Sequence, residues 1–118
     1  DRDNIKSLTT QVANLSQQGD LTTITGTAAW YAPYNLKINE IFPRLGTAAD
    51  AAVGVTVKKN GSAATSFAFA PSATSVTFSG DSDQFTMNAG DYLTVDITSV
   101  GNTNKGKDLV VQFRYNQT

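Results

Sequence analysis

The chain has 118 residues, nine basic and ten acidic side chains, a net charge of -1, and neither histidine nor cysteine. Near-neutral charge argues against nucleic acid or an anionic membrane as the main partner, since both require a concentrated basic face. The missing residue types remove the commonest general base and metal ligand, one class of nucleophile, and any disulfide framework.

In chain order, the first pattern is Ile5, Leu8, Val12 and Leu15, spaced three, four and three. That is the spacing of a and d positions, and it predicts a short coiled-coil helix over residues 1–20 that buries a narrow stripe against copies of itself. Asp3 or Asn4 would cap this helix, and Gly19-Asp20 would stop it. The alternative is an amphipathic helix packed on its own domain, although such helices carry a broader apolar face. Two heptads cannot hold an assembly alone, so the helix is expected to be the end of a shaft. Beginning at Asp1 without Met, the chain reads as the C-terminal part of a longer protein.

Residues 21–118 are expected to form one all-β domain, because hydrophobic residues make up 40% of the chain, charged ones only 16%, and no second composition block exists. Strands are predicted near 22–31, 35–45, 52–59, 62–70, 75–79, 84–88, 91–100 and 108–116. In the last two, Leu93, Val95 and Ile97 alternate with Thr94, Asp96 and Thr98, and Leu109, Val111, Phe113 and Tyr115 alternate with polar or outward positions. Asn60-Gly61 predicts a type I′ hairpin turn, and Gly90-Asp91 and Gly101-Asn102 mark further reversals. About eight short strands without a further helix indicate a β-sandwich, read as jelly-roll-like. Phe67, Phe69, Val76 and Phe78 either fill that sandwich or face a subunit joint. No stretch of 18 apolar residues offers a membrane span, and the lysine pairs Lys58-Lys59 and Lys105 with Lys107 sit beside turns, where they protect edges and solubility.

Two groups stand out as binding candidates. Trp30, Tyr31 and Tyr34 cluster around Pro33, and aromatic faces suit the apolar faces of sugars; the alternative places Trp30 in the core with Tyr31 and Tyr34 capping the sandwich or a subunit joint. The polar loop 101–107 offers Asn102, Asn104 and Lys105, either as ligand contacts or as a flexible surface connection. Catalysis finds little footing. Glu40 is the only glutamate; Asp91 and Asp108 fall at turn edges, and Asp96 alternates outward, so no paired acid and base is evident. Asp81-Ser82-Asp83 is a weak calcium pattern that reads better as a solvated turn, and no metal or cofactor is expected.

Trp30-Tyr31-Ala32-Pro33 with Leu36 and Ile38, the hairpin from Val55 to Ser62, and the run from Ala89 to Asp96 leading through Val100-Gly101 to Asp108-Leu109-Val110-Val111 resemble a β-sandwich module of tailed-bacteriophage fibre and receptor-binding proteins. The resemblance spans roughly residues 24–116. It implies a homotrimeric virion appendage with a coiled-coil shaft and a sandwich knob, and it supplies no ligand residues. The expected function is non-enzymatic adhesion of a fibre tip to a bacterial surface glycan or protein, with other virion proteins met through an N-terminal part. A structural head-fibre or decoration module without receptor binding, and a free carbohydrate-binding module, are the alternatives.

Overall fold

The structure is a computed structural model that describes residues 11–78, 80 and 82–118. Among these residues, eight strands build two four-stranded antiparallel sheets. The first holds β1 (Gln11–Asp20), β8 (Lys107–Gln117), β3 (Leu36–Thr47) and β6 (Phe85–Met87), in that order. The second holds β2 (Ile24–Tyr31), β7 (Tyr92–Val100), β4 (Val53–Lys59) and β5 (Ser62–Phe69). The chain is an all-β sandwich, as its turn-punctuated alternation predicts.

Its core lies between the sheets. Leu36, Ile38, Ile41, Leu109, Val111 and Phe113 point in from one side, and Val53, Val55, Val57, Phe69, Leu93, Val95 and Ile97 from the other, all buried. Each such side chain contributes about 1.5 to 3 kcal/mol through burial. Period-two alternation puts them there: along β8 and β7 every second residue is apolar, so one face of each strand is dry. Asn60 at φ 54° and Gly61 at φ 85° form the expected type I′ turn, which sets the β4–β5 register with Lys59 opposite Ser62.

The helix is overturned where it can be examined. Residues 11–20 are an extended strand paired to β8, from Gln11 opposite Tyr115 to Gln17 opposite Leu109. Val12 and Leu15 are an odd number of residues apart, so in a strand they face opposite ways: Val12 is 49% exposed, whereas Leu15 joins Ala13 in the sandwich core. The shared a/d stripe does not exist for these two residues. The cause is tertiary. Val, Asn and Ser favour a helix only weakly, whereas the open edge of β8 presents a row of unpaired backbone groups that a neighbouring strand satisfies. Gly19 does mark a break, but as a bulge in β1 at φ 78°. Asp3, Asn4, Ile5 and Leu8 lie outside the described residues, as does Asp81.

The strand expected at 75–79 reduces to one bridge between Ser75 and Arg44. Val76 and Phe78 nonetheless pack on the core, with Phe78 edge-on to Phe67 at 5.4 Å between centroids and Phe67 edge-on to Phe69 at 6.0 Å. Phe69 is fully buried in the sandwich, and Phe67, Val76 and Phe78 are half-buried against it.

The register defines two ends. Gln11 pairs with Tyr115 and Leu36 with Gln117 at one, so the first described residue and the C-terminus lie together there. Asp20 and Thr47 both pair with Lys107 at the other.

Candidate functional site

The two binding candidates fall on opposite ends. At the first, Trp30 sits opposite Leu93 on the inward face of β2, and its ring meets Tyr115 of the other sheet at 5.1 Å between centroids. Tyr34 packs on the same ring at 6.4 Å. Burial pushes the Tyr115 hydroxyl up from its ordinary pKa of 10.0, and the neighbouring Tyr34 adds to the shift. Trp30 and Tyr34 therefore close the sandwich. Tyr31, one residue on, faces the opposite way and is 64% exposed. The three aromatics do not form one surface.

Tyr31 has instead a partner that sequence proximity could not reveal. Tyr92 lies directly opposite it on β7, with ring centroids 5.5 Å apart and planes tilted by 41°. Tyr92 is fixed from behind. Its N–H donates to Asn60 Oδ1 at 3.1 Å, its carbonyl accepts from the Asn60 N–H at 2.9 Å, and Asn60 Nδ2 donates to Asp91 at 3.0 Å. That side-chain bond, with the Asn88 N–H, holds the Asp91 carboxyl below its ordinary 3.8.

Further along the same outer face stands a charge pair. Asp96 does face outward, as its alternation predicts, yet it is only 7% exposed, because Lys58 Nζ lies 2.6 Å from one carboxylate oxygen and the Gly26 N–H donates to the other at 2.7 Å. Lys58, then burial working the opposite way, then Gly26 govern its pKa, which ends lowered.

At the second end the loop 101–107 is tied down rather than free. Asp50 accepts backbone N–H bonds from Asn102 at 2.7 Å and from Thr103 and Asn104 at 3.0 Å each, and its own N–H donates to the Asn104 carbonyl at 2.9 Å. The Asn104 and Asn102 N–H groups hold its carboxyl below 3.8. Gly101 turns the chain at φ 104°, and a Cβ there would come within 2.9 Å of both Ala49 Cβ and the Asn104 carbonyl. Gly106 N–H donates to the Val100 carbonyl, and its own carbonyl accepts from Leu21 N–H, each at 3.0 Å. Asp108, at φ 57°, accepts from Gly19 N–H at 2.7 Å.

This scaffold leaves a groove of about 640 Å³ lined by Asp20, Thr47, Ala48, Thr103, Asn104, Lys105 and Lys107. Lys107 and Asp20 face each other across it at 3.5 Å, both largely exposed. Two of the sequence candidates, Asn104 and Lys105, line the groove; Asn102 contributes its backbone to the Asp50 anchor. Thr47, Asp20 and Lys107 arrive because β3, β8 and β1 are neighbours in one sheet. The missed residue is Asp50: an aspartate between alanine pairs in a loop is a signal for backbone capping, but not for which backbone.

The acidic candidates serve the backbone. Asp83 is buried and accepts from the Ile41 N–H at 3.1 Å, beside a bulge in β3 between Ile38 and Glu40. It also lines, with Glu40, a groove of about 580 Å³ between β3 and the 76–84 segment. Among the described residues no three acidic side chains gather as a metal cluster would require.

Comparisons with known proteins bear on the fold. No protein-family model matches the chain, and a search of curated proteins found no significant match. Among solved structures, the globular domain of zebrafish complement 1qA protein superposes with a TM-score of 0.50 at 10% identity, over 89% of this chain and 95% of that one. At that identity the likeness is one of fold.

Proposed function

We propose that the chain is the tip domain of a homotrimeric fibre on a phage-like virion, and that its polar end grips a bacterial surface glycan or protein. The strand orders β1-β8-β3-β6 and β2-β7-β4-β5, together with the fold neighbour, support reading the sandwich as an eight-stranded jelly roll, two Greek keys folded into facing sheets. The observation that carries the function is position: the groove of Asn104, Lys105, Lys107, Asp20, Thr47 and Thr103 opens at the end opposite Gln11 and the C-terminus. Attachment on the Gln11 side would leave that groove pointing outward.

Self-association passes from the expected seam to the outer face of the first sheet. Val12 and Val110 are exposed there, and Arg114 stacks on Phe42 at 4.2 Å from the ring centroid. Three copies on one axis would multiply weak sites into useful avidity without a deep pocket. Attachment to other virion proteins would lie N-terminal to the sandwich.

Labelled protein with the Asn104→Ala and Lys105→Ala pair tests the reading on intact bacteria. Lost adhesion with unchanged melting supports it, and undiminished adhesion overturns the groove. Light scattering at micromolar concentration tests the assembly, and a monomer there removes the trimer.

A further inference from the structure

We infer that the outer face of the second sheet carries a separate sugar-binding platform, built from Tyr31 and Tyr92 and taking a neutral glycan. The inference does not rest on the groove or on the trimer.

The platform is a cross-strand aromatic pair turned away from the core. Leu93 and Trp30 occupy the inward positions of the same register, so Tyr92 and Tyr31 are forced outward, and they touch at 5.5 Å. Tyr31 is 64% exposed, the most open of the large hydrophobic side chains among the described residues. Asn60 holds the Tyr92 backbone on both sides, and the Tyr92 hydroxyl lies over the tight turn, 3.9 Å from where a Cβ on Gly61 would stand. Two tilted rings side by side make a shallow apolar shelf that suits a flat apolar face.

What adjoins the shelf selects the ligand. Two residues along each strand, about 7 Å away, the next outward row holds Ala29, Thr94 and Lys58. Behind it Asp96 and Thr56 face each other in register. Small side chains, hydroxyls and one ammonium held against a carboxylate give a flat polar lane. Lys58 is 2.6 Å from Asp96 and its side chain is still 29% accessible, so two of its three N–H donors remain for other oxygens. Because Asp96 compensates that charge, the lane offers hydrogen bonds without attracting a strong anion. A pyranose presents this same division, one apolar face and a rim of hydroxyls. A protein partner would require a far broader apolar centre than one ring pair.

The test is titration of the purified full chain with maltohexaose, cellohexaose and chitohexaose in turn, following the tyrosine ring resonances by NMR. The expected result is movement of the Tyr31 and Tyr92 rings with at least one hexasaccharide at millimolar concentration. Tyr31→Ala should weaken that binding about tenfold, whereas Tyr31→Phe, which keeps the ring, should retain it. Asn104→Ala with Lys105→Ala should leave it unchanged, which separates this site from the groove. No ring movement with any of the three sugars, or equal binding by wild type and Tyr31→Ala, overturns the inference. Tyr31 is exposed, so the variant will fold, and a melting curve confirms it.

Discussion

The two ends of the sandwich are closed by different physics. At the end shared by Gln11 and the C-terminus, Trp30, Tyr34 and Tyr115 stack between the sheets, so closure there is burial of aromatic surface. At the far end a carboxylate draws in three backbone N–H groups of loop 101–107, and closure is a set of charge-assisted hydrogen bonds on a solvent-facing group. The first arrangement is rigid because apolar area is withdrawn from water. The second holds an irregular, glycine-bearing loop in one shape while keeping its side chains in water.

That contrast can be broken at either end. Trp30→Ala should cost the most, about 3 kcal/mol, through lost transfer energy and the cavity left against Tyr115; a shift in urea midpoint at unchanged slope checks it. Gly101→Ala comes next at about 2 kcal/mol, because φ 104° disfavours a side chain and the new Cβ would collide with Ala49 and the Asn104 carbonyl. If thermal melting shows no loss, the loop is softer than its hydrogen bonds indicate.

Asp50→Ala should act locally, raising amide exchange at Asn102, Thr103 and Asn104 several-fold while Trp30 fluorescence stays that of the wild type. Acid does the same by titration. Asp50 has a native pKa below 3.8, so its contribution is complete above the unfolded value and is lost as pH falls through the lowered native one. Protection of these amides relative to their intrinsic exchange rates should therefore fall below about pH 3.8, and Asp50→Asn should abolish that dependence. The smallest effect belongs to Tyr31→Ala, within about 0.5 kcal/mol in a melting curve, because its ring is mostly in water. A loss as large as that of Trp30→Ala would make Tyr31 part of the packing and undo the contrast between neighbours on one strand.

Much of this fold is legible in the sequence. The Asn60-Gly61 turn, the alternation of β7 and β8 and the inward rings of Phe67 and Phe69 all appear where local rules put them. The sites are less so. Trp30, Tyr31 and Tyr34 look like one cluster in sequence, but a strand sends adjacent residues to opposite faces, and Tyr31 joins Tyr92 across a pairing that the chain makes only through its fold. Loop 101–107 is recognisable as polar; its anchor, Asp50, lies half a chain away. Residues 11–20 show the same division most sharply. Val12 and Leu15 there end a three-and-four spacing that is a helical pattern, and the open edge of β8 decided otherwise, since a row of unsatisfied backbone groups outweighs a weak local preference.

Composition and periodicity by themselves determined the all-β class, most strand positions and the tight hairpin, because those depend on side-chain alternation and on φ at single residues. Only the tertiary structure decided that the N-terminal segment is an edge strand, which aromatics are core and which are surface, and which carboxylate shapes the polar groove. Each of those outcomes depends on partners distant in sequence, and their separation in space is set by how two sheets pack rather than by any local rule.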